Sequence, residues 1–234
     1  MSATENILEF KQADLAGADS GHAGLRGLSL SLPPGRMALI RVEAGNEQLP
    51  IADAAEGLAA PLAGTVLWRG RPWAAMPPME ELAARAAIGR VHEKNSWISN
   101  LNVSENVTLS QRHHTLRPES EIMAEADRLA ACFGLKEVPR QRPAFLGKRE
   151  LKQAEWVRAL IGRPLLLLLE RPEAGVPEEN LPRLAEAVGA ALRRGATAIW
   201  LTDRDSTWND PAWSGQIRYG MQGGNLVLIG GKTP

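Results

Sequence analysis

Residues 165–175 read Leu165-Leu166-Leu167-Leu168-Leu169-Glu170-Arg171-Pro172-Glu173-Ala174-Gly175, and this stretch decides the fold. Five consecutive leucines cannot alternate between core and solvent, so they suit a parallel strand covered by helices on both faces. In such sheets the chemistry gathers at the C-terminal tips of the strands. Here the tip presents an acid, Glu170, and directly after it an arginine, Arg171.

Downstream of the leucine run, residues 181–194 have the character of a helix closed by Gly195, and residues 197–201 form a second buried strand. Residues 216–219 pair with 225–229 across a Gly223-Gly224 turn. Upstream, residues 151–160 and 118–133 are helical, the latter started by Glu119 and Glu121. Residues 88–91 and 65–68 are strands, 79–87 a helix, and 36–40 a buried strand entering a loop at 42–47. Pro50 suits the first turn of a helix over 51–58. Residues 7–11 and 25–32 alternate instead, as in a half-exposed antiparallel lobe. Together these give an α/β fold in one domain over 1–234: a parallel core sheet flanked by helices, an N-terminal antiparallel β lobe and a helical insert near 95–160.

Lys plus Arg total 27 and Asp plus Glu total 27, so overall charge gives no case for nucleic acid or an anionic membrane surface. No apolar run approaches the roughly 20 residues of a membrane span, and residues 1–6 lack the pattern of a signal peptide. The single cysteine, Cys132, cannot form an internal disulfide and falls in the apolar phase of the 118–133 helix, which suits a structural role in a reducing cytoplasm. His113-His114 point in different directions with no further ligand cluster, so they are read as solvated residues at a helix start, and no metal is expected. Arg193-Arg194 is read as a solvated pair.

Two stretches carry a resemblance. Gly57-Leu58-Ala59-Ala60-Pro61-Leu62-Ala63-Gly64-Thr65-Val66 is similar to the segment after the phosphate loop of ATP-binding-cassette (ABC) transporter subunits. Arg158-Ala159-Leu160-Ile161-Gly162-Arg163-Pro164, followed by the leucines, resembles the helix and Walker B strand of that family. The resemblance covers nearly the whole chain and implies a P-loop NTPase-like fold that assembles with a membrane permease. The catalytic letters depart from it. Where the family has Gly-x-x-Gly-x-Gly-Lys-Ser-Thr, only Gly45 remains, with Gln48 at the lysine position and Leu49 and Pro50 at the magnesium-binding hydroxyl positions. Such a loop needs glycines, a cation and a hydroxyl to hold polyphosphate and Mg²⁺. Glu43 and Glu47 put negative charge there instead.

The resemblance places Glu93 at the Q-loop glutamine, Glu170 at the Walker B aspartate and Arg171 at the catalytic glutamate; a guanidinium cannot act as a base. Leu146-Gly147-Lys148-Arg149-Glu150 takes the place of the signature, Asp203 that of the switch histidine, and Gly17 lies where an adenine-stacking aromatic is expected. Losses at six elements within a retained scaffold imply a degenerate subunit, a pseudo-ATPase with no expected cofactor. Arg171 is expected to pair with Glu93 or Asp203 and prefill the pocket. The segment containing Trp97, Ile98, Asn100 and Leu101 is the expected permease contact, with packing inside the helical insert as the alternative. Together with residues 112–115 it resembles the phospholipid-trafficking branch that works with MCE-type proteins. The implied partners are a permease and a second cassette, as homodimer or heterodimer, with the chain in the cytoplasm and peripheral to the inner membrane. Two alternatives stand beside this reading. One is an active, atypical ATPase turning over Mg-ATP with Glu93 and Glu170 on the metal and Lys148 or Arg149 on phosphate in trans; the other is a free-standing interaction protein.

Overall fold

The computed structural model describes residues 5–17, 24–43, 49–94, 96–222 and 225–230. Alternating apolar residues place β1 (Leu8–Leu15) antiparallel to β2 (Leu25–Leu32) on one side and to β4 (Ala63–Trp68) on the other, and β4 turns into the short β5 (Arg71–Pro72). This is the N-terminal lobe. The larger sheet has six strands in the order β10 (Asn225–Gly230), β9 (Ile217–Gln222), β3 (Met37–Arg41), β8 (Thr197–Thr202), β7 (Leu166–Glu170), β6 (Ile88–Val91). Every pairing in it is parallel except that of β10 with β9, so the core sheet is mixed rather than purely parallel. The reason is connectivity: a short turn can return a strand only antiparallel to its neighbour.

β7 is covered on both faces, as its composition requires. Leu166 and Leu168 enter an apolar cluster shared with the N-terminal lobe and α1 (Ile51–Ala55). Leu167 and Leu169 enter the cluster on the opposite face, built with α3 (Val103–His114), α4 (Glu119–Cys132), α5 (Lys148–Leu160) and α6 (Leu181–Arg193). α1 is shorter than the sequence suggests. Gly57 ends it with φ +67°, and the Trp73 ring lies 2.5 Å from where a Cβ at Gly57 would sit. α2 (Pro78–Ala86) leads into β6, and the helices of the expected insert, α3 to α5, lie between β6 and β7 in the chain.

Two further sequence expectations are corrected. Cys132 is exposed, because the buried stripe of α4 runs through Ile122, Ala126 and Ala130, and Cys132 falls off that face. His113 and His114 end α3 rather than start a helix, and they stay exposed in its last turn.

α5 lies close over β6. A Cβ on Gly89 would stand 1.7 Å from the carbonyl oxygen of Ala159, so only glycine lets the helix backbone approach this strand. Gly89→Ala is therefore expected to cost about 3 kcal/mol through forced separation of the two elements, measurable by urea denaturation against wild type.

Candidate functional site at the tips of β6, β7 and β8

β7 lies between β8 and β6, so residues just past the ends of these three strands converge. Arg171 follows β7 with φ +44°, a left-handed conformation that is costly for a residue with a Cβ, and its N–H donates to the Leu201 carbonyl at 3.0 Å. The guanidinium reaches both neighbours at once: Nη1 lies 3.3 Å from Glu93 Oε1 and Nη2 2.5 Å from Asp203 Oδ2. The sequence expected one of these acids to pair with Arg171, and the structure brings both. Burial would lower the pKa of Arg171, but the two carboxylates outweigh it and hold the group further on the charged side.

Glu170 ends β7 and is 9% exposed. Along β6 and β7, Arg90, Leu168 and Glu170 share one sheet face, since Arg90 is in register with Leu168 and side chains alternate. Arg90 grips Glu170 with two bonds, Nε to Oε2 at 2.8 Å and Nη2 to Oε1 at 3.1 Å. Its Nη1 donates to Asp53 at 2.7 Å and Glu56 at 2.6 Å, both on or next to α1. Both oxygens of the β7 acid are thus committed to a guanidinium. Sequence reasoning missed Arg90, although a lone arginine in a strand of otherwise apolar residues and glycine was the available signal. Burial raises the Glu170 pKa, partly offset by Arg90.

Glu173 was also missed. It is fully buried, and it accepts from Trp200 Nε1 at 3.2 Å and from the Thr202 hydroxyl, while Arg204 donates to the Glu173 and Val176 carbonyls at 2.9 and 3.1 Å. Burial pushes its pKa up against the pull of those two donors. A carboxyl whose folded pKa is raised contributes stability at low pH and loses it as pH rises through the raised value. Glu173→Gln is therefore expected to gain stability relative to wild type as pH rises from the acidic to the neutral range; denaturation midpoints measured across pH check this.

Beyond β6, the chain is held against α5. Glu155, buried, accepts from the His92 N–H at 3.2 Å, Lys152 at 2.8 Å and Arg158 at 2.9 Å, and Arg158 also binds the Ser96 carbonyl and hydroxyl. Burial alone would raise the Glu155 pKa; the bond with His92 and the charges of Lys152 and Arg158 outweigh it and hold the carboxyl below its usual range. This contribution is present above the ordinary carboxylate pKa and lost as pH falls through the lowered value. Trp97 packs against the core with the Arg158 guanidinium 4.6 Å from its ring centroid. Asn106, buried, accepts from the Ile98 N–H at 2.8 Å and donates to the Ile98 and Asn102 carbonyls, fixing the turn between them. Of the expected permease-contact residues, Ile98 (44% exposed) and Asn100 face solvent, while Trp97 and Leu101 are partly buried.

No family model matches the chain. It is 24% identical over 236 residues to the ribose import ATP-binding protein RbsA 2 of Escherichia coli O157:H7, covering 95% of this chain and 46% of that protein. It is 24% identical over 197 residues to the methionine import ATP-binding protein MetN of Caulobacter vibrioides, covering 84% of this chain and 59% of that protein. The chain thus spans about half the length of these curated relatives. Among solved structures, the ATP-binding cassette MJ0796, a dimer in a post-hydrolysis state with ADP and Pi, aligns with TM-score 0.82 and 17% identity over 96% of this chain and 100% of that one. An ATP-binding subunit of an ABC transporter aligns with TM-score 0.77 and 19% identity over 94% and 88%. The fold is that of an ATP-binding cassette.

In this cassette fold the structure describes some of the residues expected at the phosphate loop. Gly45, Gln48 and Glu47 lie outside the described residues. Glu43 is exposed, whereas Leu49 is buried in the apolar cluster beneath α1 and offers no hydroxyl. Gly147 precedes α5, its N–H bonded to Glu150 Oε2 at 3.2 Å, and Lys148 and Arg149 begin that helix exposed to solvent. Gly17 follows β1, half-buried. Among the described residues, no group of three or more His, Cys, Asp or Glu side chains is arranged to hold a metal ion, and no helix is long and apolar enough to cross a membrane.

Glu155→Ala would leave Lys152 and Arg158 without their shared anion in a buried setting, an expected loss of about 3–5 kcal/mol in chemical denaturation, with Glu155→Gln intermediate.

Proposed function

We propose that this chain is a degenerate cassette subunit, a pseudo-ATPase that assembles with a membrane permease and contributes structure or regulation rather than hydrolysis. The observation that carries this is the pairing at the strand tips. Arg171 stands between Glu93 and Asp203, and both oxygens of Glu170 bind Arg90. Residues that would have to meet Mg-ATP are instead satisfied by the chain's own arginines, and the pocket is prefilled in the electrostatic sense. A carboxylate base needs a free lone pair within reach of its proton; at this position the chain offers a guanidinium, which has none to give.

Assembly with a permease is supported by the cassette fold and by the names of the relatives, which are import ATP-binding proteins. The exposed Ile98 and Asn100, on a turn pinned by Asn106, are the contact we assign to the permease. Location at the cytoplasmic face of the inner membrane, through that permease, and pairing with a second cassette follow from the same reading. Its substrate reading is phospholipid, which rests on the 97–107 and 112–115 segments alone; the two named relatives are importers of ribose and methionine.

Two measurements test the proposal. Mg-ATP titrated calorimetrically into the purified chain is expected to give no binding at micromolar nucleotide and no phosphate release. Micromolar binding with turnover lost in Glu170→Gln would instead establish an active enzyme. Purification from membranes followed by mass spectrometry is expected to recover a permease, whose identity settles the substrate class, and recovery of the chain alone would make it a free-standing protein.

A further inference from the structure

The acid at the tip of β7 already has a cation. We propose that Arg90 acts as a permanent internal counter-ion of Glu170, occupying the space a divalent ion would need and tying α1 to β6 and β7 in its place. This deepens the pseudo-ATPase reading and rests on the same site, through atoms that neither the permease contact nor the Arg171 bridge uses.

Three features support it. Arg90 meets Glu170 fork to fork, the geometry in which a guanidinium takes both oxygens of one carboxylate. Its remaining nitrogen draws in Asp53 and Glu56, which lie three apart at α1 and so face the same side. The Arg90 side chain is 11% exposed and those of Glu170 and Glu56 12% and 15%, so water screens these two contacts poorly, while Asp53 stands at the solvent edge. Three carboxylates around one cation would repel one another without it. Magnesium gathers its oxygens at about 2.1 Å in a near-octahedral shell, whereas the planar guanidinium takes Glu170 along its Nε–Nη2 edge and Asp53 and Glu56 together at Nη1. The two occupants therefore exclude each other. Burial works against the charge on Arg90, yet Glu170, Glu56 and Asp53 together hold it firmly charged.

The test uses Mn²⁺ alone, titrated into the nucleotide-free chain and read by electron paramagnetic resonance and thermal unfolding. Wild type is expected to bind no Mn²⁺ in a Glu170-dependent manner, and its unfolding midpoint is expected not to move. Arg90→Gln is expected to unfold at a lower temperature, to bind one Mn²⁺ and to regain stability with it; Arg90→Gln combined with Glu170→Gln is expected to lose that binding. Wild type binding Mn²⁺ and losing it in Glu170→Gln would overturn the proposal, as would folded Arg90→Gln binding none. If Arg90→Gln does not fold, Arg90→Met, which keeps an unbranched stem but carries no charge, is expected to show the Glu170-dependent Mn²⁺ binding that wild type lacks; folded Arg90→Met binding none would overturn the proposal. Failure here leaves permease recovery untouched, whereas turnover of Mg-ATP would sink the pseudo-ATPase reading whatever Mn²⁺ does.

Discussion

Burial of β7 on both faces is the constraint on which the rest of the structure depends. A strand with no solvent-facing side must carry apolar residues at every position, and Leu166 to Leu169 divide between the two apolar clusters. The same burial governs the end of the strand. Glu170 continues the alternation onto the face shared with α1, where an ionised carboxylate without a partner is costly. A cation on the same face offsets that cost, and the register of β6 places Arg90 there.

A second arginine repeats the solution at the surface. Arg171 leaves the strand in a left-handed conformation and spans the gap between the ends of β6 and β8, where Glu93 and Asp203 stand. The two cases differ energetically. The Arg171 pairs are partly solvated, so each is worth little on its own; Arg90 is more deeply enclosed, so deleting one partner costs more than the intact cluster contributes. Buried Glu173 and Glu155 add to this picture: each carboxyl is tied to side-chain partners rather than left open to a ligand.

The segment after β6 shows how one surface can be both structural and available. His92, Ser96 and Trp97 are drawn onto α5 by Glu155 and Arg158, and the turn that follows is fixed by Asn106. This leaves Ile98 and Asn100 outward on a turn whose shape is set from beneath. A surface held this way loses little conformational entropy when a partner covers it.

Much of this was legible in the sequence. The leucine run, the alternating N-terminal strands and the helix formers around them fixed the α/β class, because periodicity reports how many faces of an element are buried. The convergence of Arg171 with Glu93 and Asp203 was implied by the resemblance, which puts all three at positions that meet at one site. What sequence could not supply was partnership across elements far apart in the chain: Arg90 with Glu170, Asp53 and Glu56, Glu173 with Trp200 and Thr202, and the loss of Cys132 from the apolar face of its helix. Local pattern determines which residues must leave water. Which charge meets which is decided only when strand register and helix packing bring distant side chains within a few ångströms, since the energy of a buried ion depends on its neighbours in space rather than in sequence.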